Sequence, residues 1–339
     1  MMNNLITIFF LFASFCLSSE VYSTSPNSVE DFLYTTVRIS CTSPNGGSVG
    51  TGFIYNFKEK NGIEVPYLVT NKHVVKDAVS ADLVFNISQN NNKPSGKFSL
   101  KIGRAETPFC SLFINHSSQD LCAFSLIGAI NHVEHILNKD LKDQYIQELS
   151  DYENRLSAQP PENKYAFSLP FPSKPLENKV FYRFLNEKNL INVSYEHFLH
   201  DVLMVGYPIG ISDEVNNLPI FRKGITASHV GTNFQGRNEV LIDAACFPGS
   251  SGSPVFLSEG IKGLHHAGVH FSTTLLGILY GGPRNDVSGR LAHDENGQIY
   301  PEPLPTAIST SIPPHLGFVI KGRALLDIQQ IILASLSTS

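Results

Sequence analysis

A serine between glycines, within residues 243 to 256, is the side chain whose setting best suits covalent chemistry. Ser251 lies on a predicted loop just before an apolar run, and Gly252 lets the chain pass close behind it. Glycine at position 249 can adopt a positive φ with its N–H turned inward. The amides of Gly249 and Ser251 could then together stabilise the negative oxygen of a tetrahedral intermediate. The segment therefore predicts an acyl-transfer nucleophile with its oxyanion hole.

A serine hydroxyl is a weak nucleophile, so it needs a base to take its proton and an acid to orient that base. His73 follows an apolar stretch that we predict to be a buried strand. Asp120 precedes another almost continuous apolar stretch, a setting that suits a shielded carboxylate bonded to an imidazole. Asp77 and Asp82 are alternative partners for His73. Taken alone, each of these side chains also fits a structural role, and Ser251 fits a plain loop.

The chain order His73, Asp120, Ser251 is that of chymotrypsin-type enzymes and differs from the orders in subtilisin and the α/β-hydrolases. The chain resembles the trypsin-like serine peptidases, and within them the bacterial branch that includes the high-temperature-requirement proteases. Four blocks carry this resemblance, namely residues 50–55, 69–75, 120–123 and 243–254. Weaker similarity lies in residues 205–210, 277–282 and 316–320.

The resemblance implies an all-β, chymotrypsin-like fold of two antiparallel six-stranded β-barrels, with the catalytic groups in the cleft between them. Many short Val-, Ile-, Phe- and Leu-rich stretches separated by Gly, Asn and Pro agree with an all-β fold. The resemblance also implies a serine endopeptidase that hydrolyses polypeptide substrates through an acyl-enzyme, without a cofactor. In it, His73 would be the base, Asp120 its orienting acid and Ser251 the nucleophile.

The resemblance further assigns a primary specificity pocket. In relatives, the residue six positions before the nucleophile forms the pocket floor, and here it is Ala245, which disfavours a Lys or Arg before the scissile bond. The other predicted substrate-binding residues are Tyr280, Gly281, Gly282 and Phe318. Their glycines leave room for a small or medium apolar side chain. Residues 279 to 282 would also pair with extended substrate as an added strand.

Two other functions stay open from the sequence. The same scaffold could serve as a catalytically inactive binding or chaperone protein if the triad is distorted or the oxyanion hole collapsed. The same chemistry also cleaves esters, although the chain order favours the peptidase fold.

The composition agrees with a protein that has a sizeable core. The chain has 339 residues, of which 42% are hydrophobic and 16% charged, and its formal net charge is −5. Because it contains no basic run, we expect no nucleic-acid partner. The sequence makes no prediction of the oligomeric state.

The N-terminus has features of a secretory signal. Residues 5 to 17 form an apolar run that is shorter than the ~20 residues of a membrane span. We predict a signal peptide in residues 1–23, a peptidase domain in residues 24–339, and an exported protein, periplasmic or secreted, without a stable membrane span after cleavage. The absence of Lys and Arg from residues 1 to 17 counts against this prediction. A lipid anchor at Cys16 is the alternative.

Residues 127 to 200 combine a helical pattern with a proline-rich stretch, unlike the strand patterns elsewhere in the chain, and are predicted to be an insertion. Up to residue 156, apolar residues recur at three- and four-residue steps, which predicts a helix with one packed face. That face comprises Ile130, Val133, Leu137, Leu141, Tyr145 and Leu149. A packed decoration and a lid or exosite near the cleft are the two interpretations.

The cysteines and histidines are weaker signals. Cys110 and Cys122 are the most local pair for a disulfide, although Cys122 also fits a core thiol. His266 and His270 lie close together but lack a third ligand at a suitable spacing, so we predict no metal site.

The last predicted element is a helix in residues 322 to 333. Its apolar side chains recur at helical steps, so we expect it to close the fold. The predicted packing face comprises Leu325, Ile328 and Ile332.

Overall fold

The computed structural model describes residues 26, 28–59, 62–89, 93–138, 178–190, 199–258, 273–283, 285–290, 307–312 and 314–335. The strands in these residues are β1 (Thr36–Ser43), β2 (Gly46–Lys58), β3 (Glu64–Thr70), β4 (Ser80–Gln89), β5 (Pro94–Ile102), β6 (Ile114–Asn115), β7 (Cys122–Ser125), β8 (Asn178–Phe181), β9 (Asp201–Gly206), β10 (Ile220–Thr226), β11 (Glu239–Asp243), β12 (Pro254–Ser258), β13 (Thr273–Gly281), β14 (Asn285–Arg290), β15 (Ala307–Ile312) and β16 (Leu316–Lys321). The α-helices are α1 (Lys72–Val75), α2 (Ile127–Leu137) and α3 (Ala324–Ser335). Short 3-10 helices occupy Glu30–Tyr34, Phe109–Leu112, Glu187–Asn189, Pro208–Gly210 and Phe234–Gly236. Strands dominate, which confirms the predicted all-β class.

The N-terminal half forms one antiparallel sheet in the order β5-β4-β1-β2-β3-β7-β6, and β8 adds to it by pairing with β4. Strand β3 is almost continuously apolar and is buried from Val65 to Thr70, as expected of a strand covered on both faces. The sheet has eight strands rather than the predicted six, and one of the two additional strands, β8, comes from the insertion. Within the described residues no pairing joins the end strands β5 and β6.

The C-terminal half is a closed six-stranded barrel in the order β10-β11-β16-β13-β12-β9, as predicted. Strands β14 and β15 form a separate hairpin. The loop between β11 and β12 carries Ser251 and lies at one end of the barrel. Two register shifts lie on strands beside this loop, one after Val255 and one between Leu279 and Gly281. Such irregularities bend a strand locally and can re-aim the groups at its end.

The two halves share part of their apolar core. One buried cluster fills the N-terminal sheet and another fills the barrel. A further cluster, here called the interface core, contains Phe53 and Tyr67 from the N-terminal sheet, Phe256 and Ile320 from the barrel, and Ile328 from α3. The cleft between the halves is therefore held by packed side chains.

Helix α2 and strand β8 of the insertion pack on the N-terminal sheet, whereas Leu190 bridges to Leu275 of the barrel strand β13. Helix α2 buries Ile130 and Val133. Asn138 Nδ2 donates to Asn178 O at 2.9 Å, and Asn138 Oδ1 accepts from Asn178 N–H at 3.1 Å, so α2 and β8 are tied together. For these residues the contacts favour the packed decoration. Leu137 of the predicted face is partly buried against the same core. The remaining face residues lie outside the described residues, namely Leu141, Tyr145 and Leu149.

Helix α3 closes the described chain as predicted. Its three face residues, Leu325, Ile328 and Ile332, are fully buried. In the part of the chain that the structure describes, no helix combines the length and apolarity needed to cross a membrane. The predicted signal peptide, residues 1–23, lies outside the described residues.

The described cysteines, Cys41, Cys110, Cys122 and Cys246, are all free. The alternative of a Cys110–Cys122 disulfide is therefore wrong. Cys122 is fully buried at the start of β7, where its Sγ donates to Thr70 O at 3.6 Å. The interpretation of Cys122 as a core thiol is confirmed.

Candidate active site

The antiparallel pairing of β3 with β7 brings His73 and Asp120 together. Thr70 at the end of β3 lies opposite Cys122 at the start of β7, so the residues just beyond these ends share one edge of the sheet. His73 Nδ1 lies 2.5 Å from Asp120 Oδ2, and the His73 backbone N–H donates to Asp120 Oδ1 at 3.1 Å. Asn71 Nδ2 also donates to Asp120 O at 2.7 Å. His73 is thus fixed through both its ring and its backbone.

The environment keeps the Asp120 carboxylate charged. Burial raises the pKa of this group, but the hydrogen bonds and charge of His73 and the backbone N–H of Lys72 outweigh burial and hold the pKa below its usual value. An ionised Asp120 accepts the Nδ1 proton, so Nε2 is the basic nitrogen of the neutral imidazole. The His73 side chain is 46% exposed. Among the described residues, neither Asp77 nor Asp82 bonds to His73.

A buried histidine, His116, holds the turn that precedes Asp120. His116 Nδ1 accepts the backbone N–H groups of Ser118 and Gln119 at 3.2 and 3.1 Å, which leaves the proton on Nε2. His116 Nε2 donates to Asp327 of α3 at 3.1 Å, and His116 O accepts from Lys72 Nζ at 2.5 Å. The turn that leads into Asp120 is therefore tied to α3 and to the residue before His73. Sequence reasoning missed His116, since a lone histidine near an aspartate carries no specific signal.

Two glycines shape the loop that carries Ser251. Gly249 and Gly252 both have φ of +87°, a conformation that L side chains rarely adopt. A Cβ on Gly249 would lie 2.5 Å from Tyr207 O, and a Cβ on Gly252 would lie 1.9 Å from Thr51 O. The loop is thus pressed between the turn after β9 and strand β2, with no room for larger residues.

The loop is held through its backbone carbonyl groups. Five consecutive carbonyl oxygens each accept a hydrogen bond from a described donor. The pairs are Phe247 O with Ser250 N–H at 3.0 Å, Pro248 O with Ile209 N–H at 2.6 Å, Gly249 O with Thr51 Oγ1 at 2.9 Å, Ser250 O with Ser253 N–H at 3.0 Å, and Ser251 O with Thr51 N–H at 2.9 Å. Sequence reasoning missed the roles of Thr51 and Ile209, although Thr51 lies in one of the matching blocks.

The N–H groups of the same loop divide into two classes. Those of Ser250, Gly252 and Ser253 donate to carbonyl oxygens. Those of Gly249 and Ser251 have no carbonyl acceptor among the described residues. Gly249 and Ser251 are both partly buried, and their N–H groups remain available to an acceptor from outside the described residues.

The Ser251 hydroxyl bonds to the barrel. Its Oγ donates to Tyr280 O on β13 at 3.3 Å. Within the described residues no hydrogen bond joins Ser251 to His73. Thr51 connects the two segments. Its N–H donates to Ser251 O at 2.9 Å, and its carbonyl accepts from Thr70 Oγ1 at 2.7 Å, just before the turn that carries His73.

Two predicted pocket residues form an aromatic stack. Tyr280 and Phe318 have ring centroids 6.0 Å apart at an interplanar angle of 26°. The Arg237 guanidinium lies 5.5 Å from the Phe318 ring centroid and forms a 3.2 Å ion pair with Glu239. Burial, together with the hydrogen bond and charge of Glu239, raises the pKa of Tyr280 to about 12. The Tyr280 hydroxyl is therefore neutral at physiological pH.

The other predicted pocket residues, Ala245, Gly281 and Gly282, have at most a methyl side chain, so their backbone sets the shape of the pocket. Ala245 O accepts from Arg222 Nη1 at 2.7 Å, so the segment before the Ser251 loop is held by a charged side chain that sequence reasoning missed. A Cβ on Gly281 would meet nothing within 4 Å, whereas one on Gly282 would lie 2.3 Å from Leu316 O. The space beside Gly281 is open, and Gly282 is required by a neighbouring strand.

In the described part of the chain, no cluster of His, Cys, Asp and Glu side chains could hold a metal ion. His266 and His270 lie outside the described residues. Cys246 is partly buried, and desolvation raises the pKa of its thiol to about 11, so it is protonated at neutral pH.

Comparison with known proteins shows which family model the sequence matches. The model of the trypsin-like peptidase domain matches residues 50–261. No curated protein shows significant sequence similarity to the chain. Similar solved structures include the HtrA-type protease AlgW with a tripeptide (15% identity, TM-score 0.40, covering 91% of this chain and 63% of that one). Another is a serine endoprotease from Yersinia pestis (14% identity, TM-score 0.40, covering 91% of this chain and 68% of that one). A third is an M. tuberculosis protease in its active form (13% identity, TM-score 0.38, covering 96% of this chain and 94% of that one). The chain spans 62% and 63% of the length of two of the AlgW structures that it matches, which is less than two thirds.

Proposed function

Because the chain belongs to the trypsin-like peptidase family, we propose that it is a serine endopeptidase with Ser251, His73 and Asp120 as its catalytic triad. The observation that carries the proposal is the arrangement of the Ser251 loop. It presents the hydroxyl beside the two amides, at Gly249 and Ser251, that lack a carbonyl acceptor among the described residues. These two partly buried donors are available to the oxygen of a bound substrate.

The reaction would proceed through an acyl-enzyme. Ser251 Oγ attacks the scissile carbonyl carbon while His73 Nε2 takes the hydroxyl proton, and the negative oxygen binds the N–H groups of Gly249 and Ser251. The C–N bond then breaks, and His73 returns the proton to the leaving amine. Water, deprotonated by His73, hydrolyses the ester and frees Ser251. Asp120 stays ionised and stabilises the imidazolium formed in each half-reaction.

Substrate binding would also free the nucleophile. In the structure the Ser251 hydroxyl donates to Tyr280 O. If extended substrate pairs with residues 279 to 282 as an added strand, a substrate N–H takes over Tyr280 O as its acceptor. The Ser251 hydroxyl then loses its partner and turns to His73 Nε2. Hydrogen bonds of this kind often form only in the complex with substrate.

The pocket residues support a preference for apolar side chains before the scissile bond. Ala245 offers no carboxylate for a basic side chain, and we assign Tyr280, Gly281, Gly282 and Phe318 to substrate binding. The space beside Gly281 is open to a substrate side chain, and the Tyr280–Phe318 stack supplies an apolar wall. Peptide-library profiling should therefore select small or medium apolar residues, and selection of Lys or Arg would contradict this assignment.

We also propose that the chain is exported. The apolar run in residues 5 to 17 and the predicted cleavage before Thr24 support a signal peptide in residues 1–23. Expression of the full chain followed by fractionation and N-terminal sequencing tests this. An uncleaved protein in the cytoplasmic fraction would refute export.

Cleavage of an unfolded polypeptide tests the proposed activity. Full-length protein should cut a denatured protein substrate into fragments, and Ser251→Ala of equal thermal stability should leave it intact. Equal cleavage by both proteins would assign the activity to a contaminant and refute the proposal.

One observation favours a second function. Since the Ser251 hydroxyl bonds Tyr280 O and not His73 within the described residues, the chain could also be an inactive scaffold that binds polypeptide along β13. In that case Ser251→Ala would bind unfolded polypeptide as tightly as the wild type, and neither would cut it.

A further inference from the structure

The oxyanion-hole loop is held from outside by the turn that follows β9. We propose that Thr51 and Ile209 are positioning residues that fix the Gly249 N–H in the direction needed to bind the oxyanion. The inference rests on the proposed function, because it assigns a role at the same site, but its structural part can be tested without any activity.

The orientation of the Pro248–Gly249 peptide decides whether the hole exists. In a trans peptide the C=O and the N–H point in opposite directions. Pro248 O accepts the Ile209 N–H at 2.6 Å, so the Gly249 N–H faces away from the turn. If this peptide turned over, the hole would lose one donor and gain a carbonyl oxygen that repels the negative charge.

Ile209 adopts a costly backbone conformation to make this bond. Its φ and ψ are 53° and 22°, in the left-handed region that β-branched residues avoid. Its side chain is 64% exposed, so burial of the side chain does not explain the conformation. The hydrogen bond to Pro248 O is the interaction that accounts for it. Strain of this kind is found where a local geometry serves a functional site.

A single hydroxyl connects this turn to the loop. Thr51 Oγ1 accepts the Tyr207 N–H at 3.0 Å and donates to Gly249 O at 2.9 Å, and Thr51 is fully buried. The first of these bonds fixes the start of the turn that presents the Ile209 N–H. The second fixes the peptide that follows Gly249. Thr51 belongs to β2, so the N-terminal sheet positions the oxyanion hole of the barrel.

The Thr51 side chain can be tested separately from its backbone. Thr51→Val keeps the shape and the backbone N–H bond to Ser251 O but removes the hydroxyl, whereas Thr51→Ser restores the hydroxyl. Thr36→Val is the matched control, since Thr36 is also buried in the N-terminal sheet and its Oγ1 has no partner among the described residues. A general effect of losing a buried hydroxyl would appear in both valine variants.

The Ile209 backbone has its own pair of variants. Ile209→Gly keeps the N–H and favours the positive φ. Ile209→Pro removes the N–H and cannot adopt that φ. If Ile209→Pro does not fold, Thr51→Val alone decides the question.

The kinetic test is the rate constant for labelling of the full chain by a fluorophosphonate probe. Thr51→Val and Ile209→Pro should label about 10- to 100-fold more slowly than the wild type, since loss of one oxyanion donor has an effect of that order or larger. Thr51→Ser and Ile209→Gly should recover most of the lost rate. Thr36→Val should stay within about twofold of the wild type. If the wild type labels, equal rates in Thr51→Val and Thr36→Val would overturn the proposal.

The structural test is the direction of the Pro248–Gly249 peptide in crystal structures of the same variants. It should be turned over or disordered in Thr51→Val and unchanged in Thr51→Ser and Thr36→Val. If these structures differ as expected but the wild type does not label, the positioning role stands and the proposed activity fails. An unchanged peptide in Thr51→Val would refute the positioning role, whatever the labelling rates.

Discussion

At the residue scale, the site is defined by which polar atoms have hydrogen-bond partners and which do not. His73 Nδ1 is taken by Asp120, which leaves Nε2 as the basic nitrogen, while the carbonyl groups around Ser251 are taken by Thr51, Ile209 and the loop itself. What stays unpaired in the described loop, the N–H groups of Gly249 and Ser251, is what acyl transfer would use. The chemistry follows from which groups are satisfied and which are left available.

Gly252 offers a residue-scale prediction about stability. Gly252→Ala should lower the free energy of unfolding by more than Gly236→Ala, measured by urea denaturation. Both glycines have a positive φ, so both substitutions introduce backbone strain of about 1 kcal/mol or more. A Cβ at residue 252 would also lie 1.9 Å from Thr51 O, whereas one at residue 236 meets nothing within 4 Å. Equal losses in the two variants would show that the contact with β2 is not tight.

At the element scale, the ends of strands carry the functional groups and neighbouring elements orient them. The β3–β7 pairing sets His73 beside Asp120, and the closed barrel sets Ser251 beside β13. The turn before Asp120 is organised by His116, which connects it to α3. Substitutions away from the reacting atoms should therefore change the activity.

His116 should affect turnover through the position of Asp120. His116→Leu leaves the N–H groups of Ser118 and Gln119 without their acceptor, and we expect kcat to fall about 10- to 100-fold as Asp120 shifts. His116→Asn places an oxygen near the position of Nδ1 and should recover much of the loss. Steady-state kinetics on a chromogenic peptide measures both variants. A change confined to KM, or no recovery by asparagine, would contradict the positioning role.

Glu134 of α2 should make the stability depend on pH. Burial is the main cause that raises its pKa from 4.5 to about 7, although its Oε1 accepts the Val180 N–H at 3.0 Å. A carboxyl group with a raised folded-state pKa binds a proton more tightly in the folded state. Its contribution to stability is therefore present below pH 4.5 and is lost as the pH rises towards 7.

Glu134→Gln keeps the acceptor and removes the titration. The stability of the variant relative to the wild type should thus rise between pH 4.5 and 7, as measured by urea denaturation at several pH values. The comparison with the wild type cancels the opposite effect of His132, whose pKa is lowered by burial to about 4. Parallel pH profiles for the two proteins would contradict this prediction.

At the scale of the whole molecule, the two halves should unfold together because they share the interface core. Ile328→Ala removes a fully buried side chain of α3 from this core, and we expect a loss of about 2–5 kcal/mol in a single transition. Exposed Gln330→Ala is the control and should change stability by less than about 0.5 kcal/mol. Since the chain has no tryptophan, circular dichroism and tyrosine fluorescence are the probes. Two separate transitions would show that the halves fold independently.

The sequence predicts those features whose signal lies in contiguous residues. The Ser251 loop is one segment, and the apolar runs of β3 and β7 are each continuous, so the all-β class follows from local patterns. The nearness of His73 and Asp120 is implied instead by the resemblance of the chain order and sequence blocks to the trypsin-like peptidases. Helix α3 packs through its predicted face because the spacing of its apolar residues is sufficient to define that face.

Other features depend on contacts between distant residues. Thr51 meets Gly249 across the cleft, and His116 meets Asp327, yet neither pair is marked by local spacing. Ile209 adopts a positive φ against its own preference, because a bond to Pro248 O offsets the strain. The eighth strand of the N-terminal sheet comes from the insertion, whose sequence pattern indicates an insertion but no strand.

Labelling of the full-length protein by a fluorophosphonate probe tests the central claim, an activated Ser251, most directly. Intact mass and peptide mapping should show one adduct per chain, located on Ser251, in the folded wild type. No adduct should form in Ser251→Ala, and labelling of His73→Ala should be much slower. A folded wild type that stays unlabelled, or equal labelling of Ser251→Ala, would contradict the assignment of an activated serine.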